Sequence, residues 1–341
     1  MNRGLSMFDI HNRRYTGSKY KLQDWIFDLV RQNCRGQSFA DLFAGTGVIT
    51  SRFMADFNKL IVNDLLFSNW VVYKAFFENR PMNQNALNKY ALEFQQCSKR
   101  KIRDNYVSRN FGGKFFNLQD ARVIGDIREQ IENLKPVLSD KEYYVLLASL
   151  LYSADKAANT VGHYDAYIRH TNIDSCFKFE LINPIKTSHK KFEIYREDAN
   201  QLVKHIKADI CYIDPPYNSR QYSRFYHVLE NLAEWEKPKL YGVAMKPRPQ
   251  KMSEYSRVSA PIVFADLITN LQAKYVVVSY NNTYDSKSSS SRNKITLEEI
   301  QNILASKGKV KQFSIKHAFF NTGKTDFSDH QELLFITEVK R

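Results

Sequence analysis

The sequence predicts an α/β protein in which a Rossmann-like, doubly wound sheet is interrupted by a long, largely helical insert. Three observations predict it. Residues 38 to 64 read strand, glycine turn, helix, strand and terminal acid. The alternation lapses between about Phe76 and Lys191 and then resumes with KFEIY and the apolar run ending at Ile213. Finally KYVVVSY, from Lys274 to Tyr280, is followed by two strand-like segments that suit a closing hairpin. A long insert in a doubly wound domain signals a second lobe. The expected division is therefore a catalytic domain of residues 1–75 and 192–341 around an inserted domain of residues 76–191.

Composition bounds the class of protein. The chain has 341 residues, 43% hydrophobic and 25% charged, enough for one large core and a smaller lobe. No apolar run reaches the eighteen or so residues of a membrane span, and the start MNRGLSMFDIHNRRY lacks a signal-peptide core. A cytosolic protein with no membrane partner is expected. Cys34, Cys97, Cys176 and Cys211 are widely spaced, without a CxxC or Cys/His cluster, so no metal site is expected. A formal net charge of +14 suits a polyanionic partner, because each phosphate neutralised by Lys or Arg releases a condensed counterion.

Taken in order, Leu22, Trp25, Ile26, Leu29 and Val30 fall on one helical face, with Ser18 the expected N-cap. Tyr15, Thr16 and Gly17 precede it, placing a ring and free N–H groups at a helix N-terminus that favours a carboxylate or phosphate. In SFADLFAGTGVIT, Ser38 to Thr50, the glycines Gly45 and Gly47 allow a tight turn and close approach of a ligand. The next strand, KLIVN, ends at Asp64, nineteen residues after Gly45, where a partner for ribose hydroxyls belongs. The third glycine of a dinucleotide fingerprint is replaced by Thr50, which favours a nucleoside ligand without phosphates, such as S-adenosylmethionine.

Within the insert, Ile127 to Leu134 and Glu142 to Ala158 look helical. The basic connectors Ser98 to Phe116, Val161 to His170 and Lys186 to Lys191 suit phosphates and base edges. Beyond it, KFEIY leads to Asp198, and Phe225 to Trp235 reads as one amphipathic helix packed on the core. Lys237 to Arg257 reads as a flexible loop near the site and KSSSSRNK, from Lys287 to Lys294, as mobile. Thr296 to Ala305 reads as a short helix, and Gly308 to Ala318 with Gln331 to Glu338 as the hairpin.

The most informative stretch is ADICYIDPPYNSRQYS, Ala208 to Ser223. An apolar strand delivers Asp214, Pro215, Pro216 and Tyr217 to the carboxyl edge of the sheet, where open α/β folds bind ligands. The prolines end the sheet ladder and stiffen the turn. A planar base could stack on Tyr217 while its exocyclic amine donates one hydrogen to Asp214 and the other to the Pro215 carbonyl.

Together these residues resemble the amino-group DNA methyltransferases, specifically the Dam-like (alpha-group) adenine-N6 enzymes with a DPPY motif. The resemblance rests on Tyr15, Gly17 and Lys19, on DLFAGTG from Asp41 to Gly47, on Asp64 and Asp198, and on Asp214 to Tyr217. It implies a class I S-adenosylmethionine-dependent fold: a mostly parallel seven-stranded sheet with a C-terminal antiparallel hairpin, and an inserted target-recognition domain. It further implies that Tyr15, Gly17, Lys19, Phe43, Ala44, Gly45 and Gly47 hold the methionine end of S-adenosylmethionine, with Asp41 also binding the cofactor. Asp64 would hold the ribose and Asp198 the cofactor's adenine amine, with S-adenosylhomocysteine as product. Asp214, Pro215, Pro216 and Tyr217 would receive an adenine flipped out of duplex DNA.

Three alternatives stay open at this level: an RNA adenine methyltransferase, a DNA cytosine-N4 methyltransferase, and a non-catalytic nucleic-acid-binding module. Intact Asp214, Gly45, Gly47 and Asp64 count against the last. The expected setting is a restriction-modification system with a functionally paired restriction endonuclease, a solitary methylase being the other option.

Overall fold

A computed structural model describes residues 7–169, 172–187, 190–250, 252–283, 293–316 and 330–340. The chain forms two compact units, each assembled from separate stretches. One comprises Met1–Ser18, Leu66–Ser188 and Ser223–Gln250; the other comprises Lys19–Leu65, His189–Tyr222 and Lys251–Arg341.

The second unit is built on a sheet of strands β1 (Ser38–Asp41), β2 (Lys59–Asn63), β3 (Lys191–Tyr195), β4 (Ile210–Ile213), β5 (Tyr275–Asn281), β6 (Gly308–Lys316) and β7 (Gln331–Val339). Their order is β3-β2-β1-β4-β5-β7-β6. The first five are parallel, and β7 runs antiparallel between β5 and β6. This is the mostly parallel seven-stranded sheet with a C-terminal antiparallel hairpin expected of a class I methyltransferase fold. The winding reverses between β1 and β4, whose register pairs Asp41 with Tyr212. The residues leaving both strands therefore emerge side by side on one edge, the switch point where such sheets bind ligands.

The central strands are apolar throughout because helices and loops cover both faces. On one face Ala40, Cys211, Ile213, Val276, Val278 and Phe335 join Phe264, Leu267 and Leu304 of helices Ala260–Asn270 and Leu297–Ala305 in one core. Phe39 stacks on Phe53 at 4.5 Å and 8°. Each such buried side chain contributes about 1.5–3 kcal/mol relative to exposure. Thr296 starts its helix through a reciprocal capping box with Glu299.

The other unit is mainly helical: Phe67–Phe77, Gln84–Gln96, Tyr106–Phe111, Leu118–Leu134, Asp140–Ala157 and His227–Glu234, with a two-residue parallel pairing of Met7–Phe8 on Leu181–Ile182. Asp140–Ala157 is buried over most of its length and is opened by a Ser139/Glu142 capping box. Arg128 is buried and donates from Nε to the Leu232 carbonyl at 2.6 Å, closing the end of His227–Glu234. Among the described residues no helix is long and apolar enough to cross a membrane.

The structure corrects two expectations. Ser18 does not cap the first helix, which spans Gln23–Asn33 after a tight turn at Lys19–Lys21. Ser18 instead closes a turn, donating its N–H to the Tyr15 carbonyl at 3.2 Å with Gly17 at φ 81°. The segment Phe225 to Trp235 is not one helix: Tyr222–Phe225 and His227–Glu234 are separated at Tyr226, which leaves helical geometry at φ −114° and ψ 22°. Residues 287–292 of the serine-rich stretch lie outside the described residues, as do residues 317 and 318 of the hairpin.

Candidate active site

At the carboxyl edge of the sheet, Asp214 follows β4 directly. Lys19 Nζ lies 2.9 Å from Asp214 Oδ2, with 4% and 14% of the two side chains exposed. The same ammonium sits 5.6 Å from the centre of the Tyr217 ring. Burial works against the charge of Lys19, yet Asp214, then Tyr217 and Glu332, hold it protonated well above its ordinary range. Burial pushes the Asp214 carboxyl upward while Lys19 pulls it back. Asp214 Oδ1 is buried and has no hydrogen-bond partner among the described residues, so one acceptor is left for an incoming donor.

Tyr217 is positioned from two sides. Its carbonyl accepts the Lys294 N–H at 2.8 Å, and its ring meets Tyr280 edge-on at 5.6 Å and 76°. Burial raises its hydroxyl to about 12, so at neutral pH it is an uncharged ring. Pro215 is buried.

The glycine turn follows β1 on the same edge. Gly45 and Gly47 take φ 54° and 79°, left-handed values that a side chain would strain. Gly45 donates its N–H to Asp64 Oδ2 at 2.9 Å, and Gly47 donates to the Ala44 carbonyl at 2.7 Å. Asp64 thus already braces the turn it was read as facing. Asp41 Oδ2 accepts the Thr50 hydroxyl at 2.8 Å, which gives Thr50 a positive role in place of the missing glycine. Asp41 Oδ1 is buried without a partner, and burial, against the Thr50 bond and with like charge from Asp214 and Asp64, pushes this carboxyl up to about 7. Asp198 caps the short helix Ala199–Leu202, accepting from Asn200 N at 3.0 Å. Phe43 is met edge-on by Tyr255 at 5.1 Å and 78°, and Tyr255 donates to Asn200 Oδ1 at 2.8 Å.

Lys19, Asp41, Phe43, Ala44, Gly45, Gly47, Asp64, Asp198 and Asp214 to Tyr217 therefore all belong to the sheet unit, whereas Tyr15 and Gly17 belong to the helical unit. There the Tyr15 ring stacks on Tyr226 at 4.6 Å and 9°, and the Tyr226 hydroxyl accepts the Thr16 N–H at 2.7 Å. Arg14 donates its N–H to Asp155 Oδ2 at 2.8 Å and spans the carbonyls of Ala158 and Thr160 with its guanidinium. The turn that carries Tyr15 and Gly17 is thus tied to the end of helix Asp140–Ala157. Tyr226 leaves helical geometry to make these contacts, and its place in an amphipathic segment gave no hint of them.

The donor set fits a nucleoside carrying an amine and hydroxyls. It offers a carboxyl oxygen at Asp41 that is buried without a partner among the described residues, a glycine turn in left-handed geometry, and further carboxylates at the ends of the neighbouring strands. Among the described residues no group of three or more His, Cys, Asp or Glu is placed to hold a metal ion. Cys211 is buried, and burial raises its thiol to about 12, which disfavours the thiolate.

Comparison with known proteins now decides the family. Residues 15–303 match the D12 class of N6 adenine-specific DNA methyltransferases, far more than half of the chain. The chain belongs to this family. Modification methylase StsI of Streptococcus sanguinis is 34% identical over 286 residues, covering 79% of this chain and 44% of that protein. Type II methyltransferase M.FokI of Planomicrobium okeanokoites is 31% identical over 315 residues, 86% of this chain and 47% of that one. M.NlaIII of Neisseria lactamica is 29% identical over 337 residues and is matched nearly end to end, over 93% of this chain and 95% of that protein. The chain thus spans about half the length of StsI and M.FokI but almost all of M.NlaIII.

One buried carboxylate beside these residues escaped the sequence reading. Glu332, 6% exposed, lies in the field of Lys19 and Asp214. The available signal was a carboxylate inside the apolar strand QELLFITEV, since a charged residue is rarely buried without a reason.

Proposed function

We propose that this chain transfers a methyl group from S-adenosylmethionine to N6 of an adenine flipped out of duplex DNA, as the modification partner of a restriction endonuclease. The observation that carries the proposal is the buried Lys19–Asp214 pair at the head of Asp-Pro-Pro-Tyr, with a free Asp214 oxygen, in a chain of the adenine-N6 family. Names such as modification methylase among its relatives support the restriction-modification setting. The site of action is then DNA in the cytoplasm.

The cofactor supplies an electrophilic methyl on a sulfonium. Its methionine end is assigned to Tyr15, Gly17, Asp41, Phe43, Ala44, Gly45 and Gly47, its ribose to Asp64 and its adenine amine to Asp198. Lys19, read from sequence as a methionine-end residue, has its ammonium on Asp214 and so also serves the target base. The adenine N6 lone pair is conjugated with the ring and is a poor nucleophile. Asp214 and the Pro215 carbonyl accept its two hydrogens best as the nitrogen becomes pyramidal, which stabilises the transition state over the planar ground state. Lys19 keeps Asp214 an acceptor despite its burial. Tyr217 supplies the stacking face that offsets a flipping cost of a few kcal/mol. The basic connectors of residues 76–191 are assigned the phosphate and base contacts, in keeping with the net charge of +14.

The test is to incubate the protein with methyl-labelled S-adenosylmethionine and either duplex DNA or RNA, digest the nucleic acid, and identify the labelled nucleoside. N6-methyladenine in DNA is expected. N4-methylcytosine, or label in RNA alone, would replace this proposal with one of its alternatives.

A further inference from the structure

Glu332 lies one residue into β7, directly opposite Asn281 at the carboxyl end of β5. The parallel register of β5 with β4 puts that end on the edge from which Asp214 emerges. Glu332 is 6% exposed; its Oε2 has no hydrogen-bond partner among the described residues, and its Oε1 lies 3.9 Å from His330 Nε2. The ammonium acting on it is Lys19, which already contacts Asp214 at 2.9 Å. A carboxylate buried with so little local compensation is costly, and an apolar side chain in this strand would avoid that cost.

Charge counting suggests what it is for. Lys19 and Asp214 cancel, so with Asp41 protonated a bound sulfonium would leave the buried site one positive charge in excess. With Glu332 ionised the sum is zero. In the reaction the N6 lone pair forms the new N–C bond while the C–S pair returns to sulfur, and Asp214 takes the proton that leaves N6. Lys19, protonated Asp214, ionised Glu332 and a neutral thioether again sum to zero.

We propose that Glu332 is a positioning residue that supplies the counter-charge to the cofactor's sulfonium, sharing Lys19 with Asp214 so that the buried site is neutral before and after transfer. This rests on the methyltransferase reading above. The groups acting on Glu332 are Lys19, Asp214 and Tyr217, with Tyr212 acting on Lys19 and His330 just before the strand. Burial, with Asp214 adding to it and Lys19 opposing, raises Glu332 to about 7. A sulfonium should therefore displace a proton from Glu332 on binding, whereas a thioether should not.

S-Adenosylmethionine and S-adenosylhomocysteine differ in that one charge and one methyl, so their relative affinity reports it. Dissociation constants for both are measured by titration calorimetry at pH 6 and pH 8. The preference for the sulfonium should rise about tenfold between these values, one proton being displaced from a group that titrates midway. In an Asp41→Asn background, which removes the other carboxyl raised to about 7, Glu332→Gln should flatten the ratio while still binding S-adenosylhomocysteine, and His330→Gln should keep the slope. A flat ratio in the unaltered protein, a slope surviving in Glu332→Gln, or a slope lost in His330→Gln would overturn the assignment. Failure to bind either ligand would overturn the methyltransferase reading as well, so the two failures are distinguishable.

Discussion

Lys19 Nζ and Asp214 Oδ2 stand 2.9 Å apart in a site that exposes 4% of one side chain and 14% of the other. Neither charge is tolerable there alone. Lys19→Met should therefore destabilise the protein by about 3–5 kcal/mol, the usual cost of stranding one member of a buried pair. It should also raise Asp214 further, because Lys19 is what pulls this carboxyl down. The acidic limb of the methylation rate should then move to higher pH. Unfolding curves and a rate profile check both parts; unchanged stability with an unchanged profile would refute them.

Tyr217 is treated as a stacking face and not as an acid or base, since its hydroxyl is raised to about 12. Tyr217→Phe should keep a substantial part of the activity. Tyr217→Ala should lose about 1–3 kcal/mol of base stacking, which is roughly tenfold to a hundredfold in binding the flipped base. Equal activity of the two variants would remove the stacking role.

The Tyr226 hydroxyl accepts the Thr16 N–H at 2.7 Å while its ring stacks on Tyr15. Tyr226→Phe keeps the stacking and removes the Thr16 bond, worth about 1 kcal/mol, together with a long 3.5 Å bond from the hydroxyl to the Gly162 carbonyl. KM for S-adenosylmethionine should rise about fivefold with kcat retained, if the Tyr15–Gly17 turn serves the cofactor. A fall in kcat with an unchanged KM would assign the turn elsewhere.

Asp41 offers a pH test of stability. Its folded value, about 7, lies above the ordinary 3.8 because of burial. Between those values the folded state holds more protons than the unfolded one, so this group's contribution to stability falls as pH rises from about 4 to about 7. Asp41→Asn removes the titration. The Tm of the variant relative to the parent should therefore be more favourable at pH 8 than at pH 5. An equal difference at both values would show that Asp41 does not titrate in this window.

The sequence disclosed the sheet and the glycine turn because both are local. Apolar runs stop at a glycine pair, at Asp64 and at Asp-Pro-Pro-Tyr, and each stop is written in adjacent residues. The closing hairpin was equally legible, as was the Thr296 helix start. The misjudged parts depend on contacts between distant stretches. Tyr226 breaks its helix to reach Tyr15 and Thr16, some 210 positions earlier, and no periodicity encodes that. Ser18 looked like a cap, but Gly17 turns the chain before the helix can start. Glu332 gains meaning only from its register opposite Asn281, and the contact of the Lys19 ammonium with Asp214 is a further relation between distant stretches that no local pattern encodes.

The most direct measurement is single-turnover methyl transfer to duplex DNA by Asp214→Ala, with S-adenosylmethionine affinity measured in parallel. Losing an acceptor whose bond tightens in the transition state typically costs about 10²–10³ in rate. Transfer should fall at least that far while cofactor affinity stays within a few-fold of the parent. Near-normal transfer by this variant would contradict the role of Asp214 and, with it, the proposed chemistry of the site.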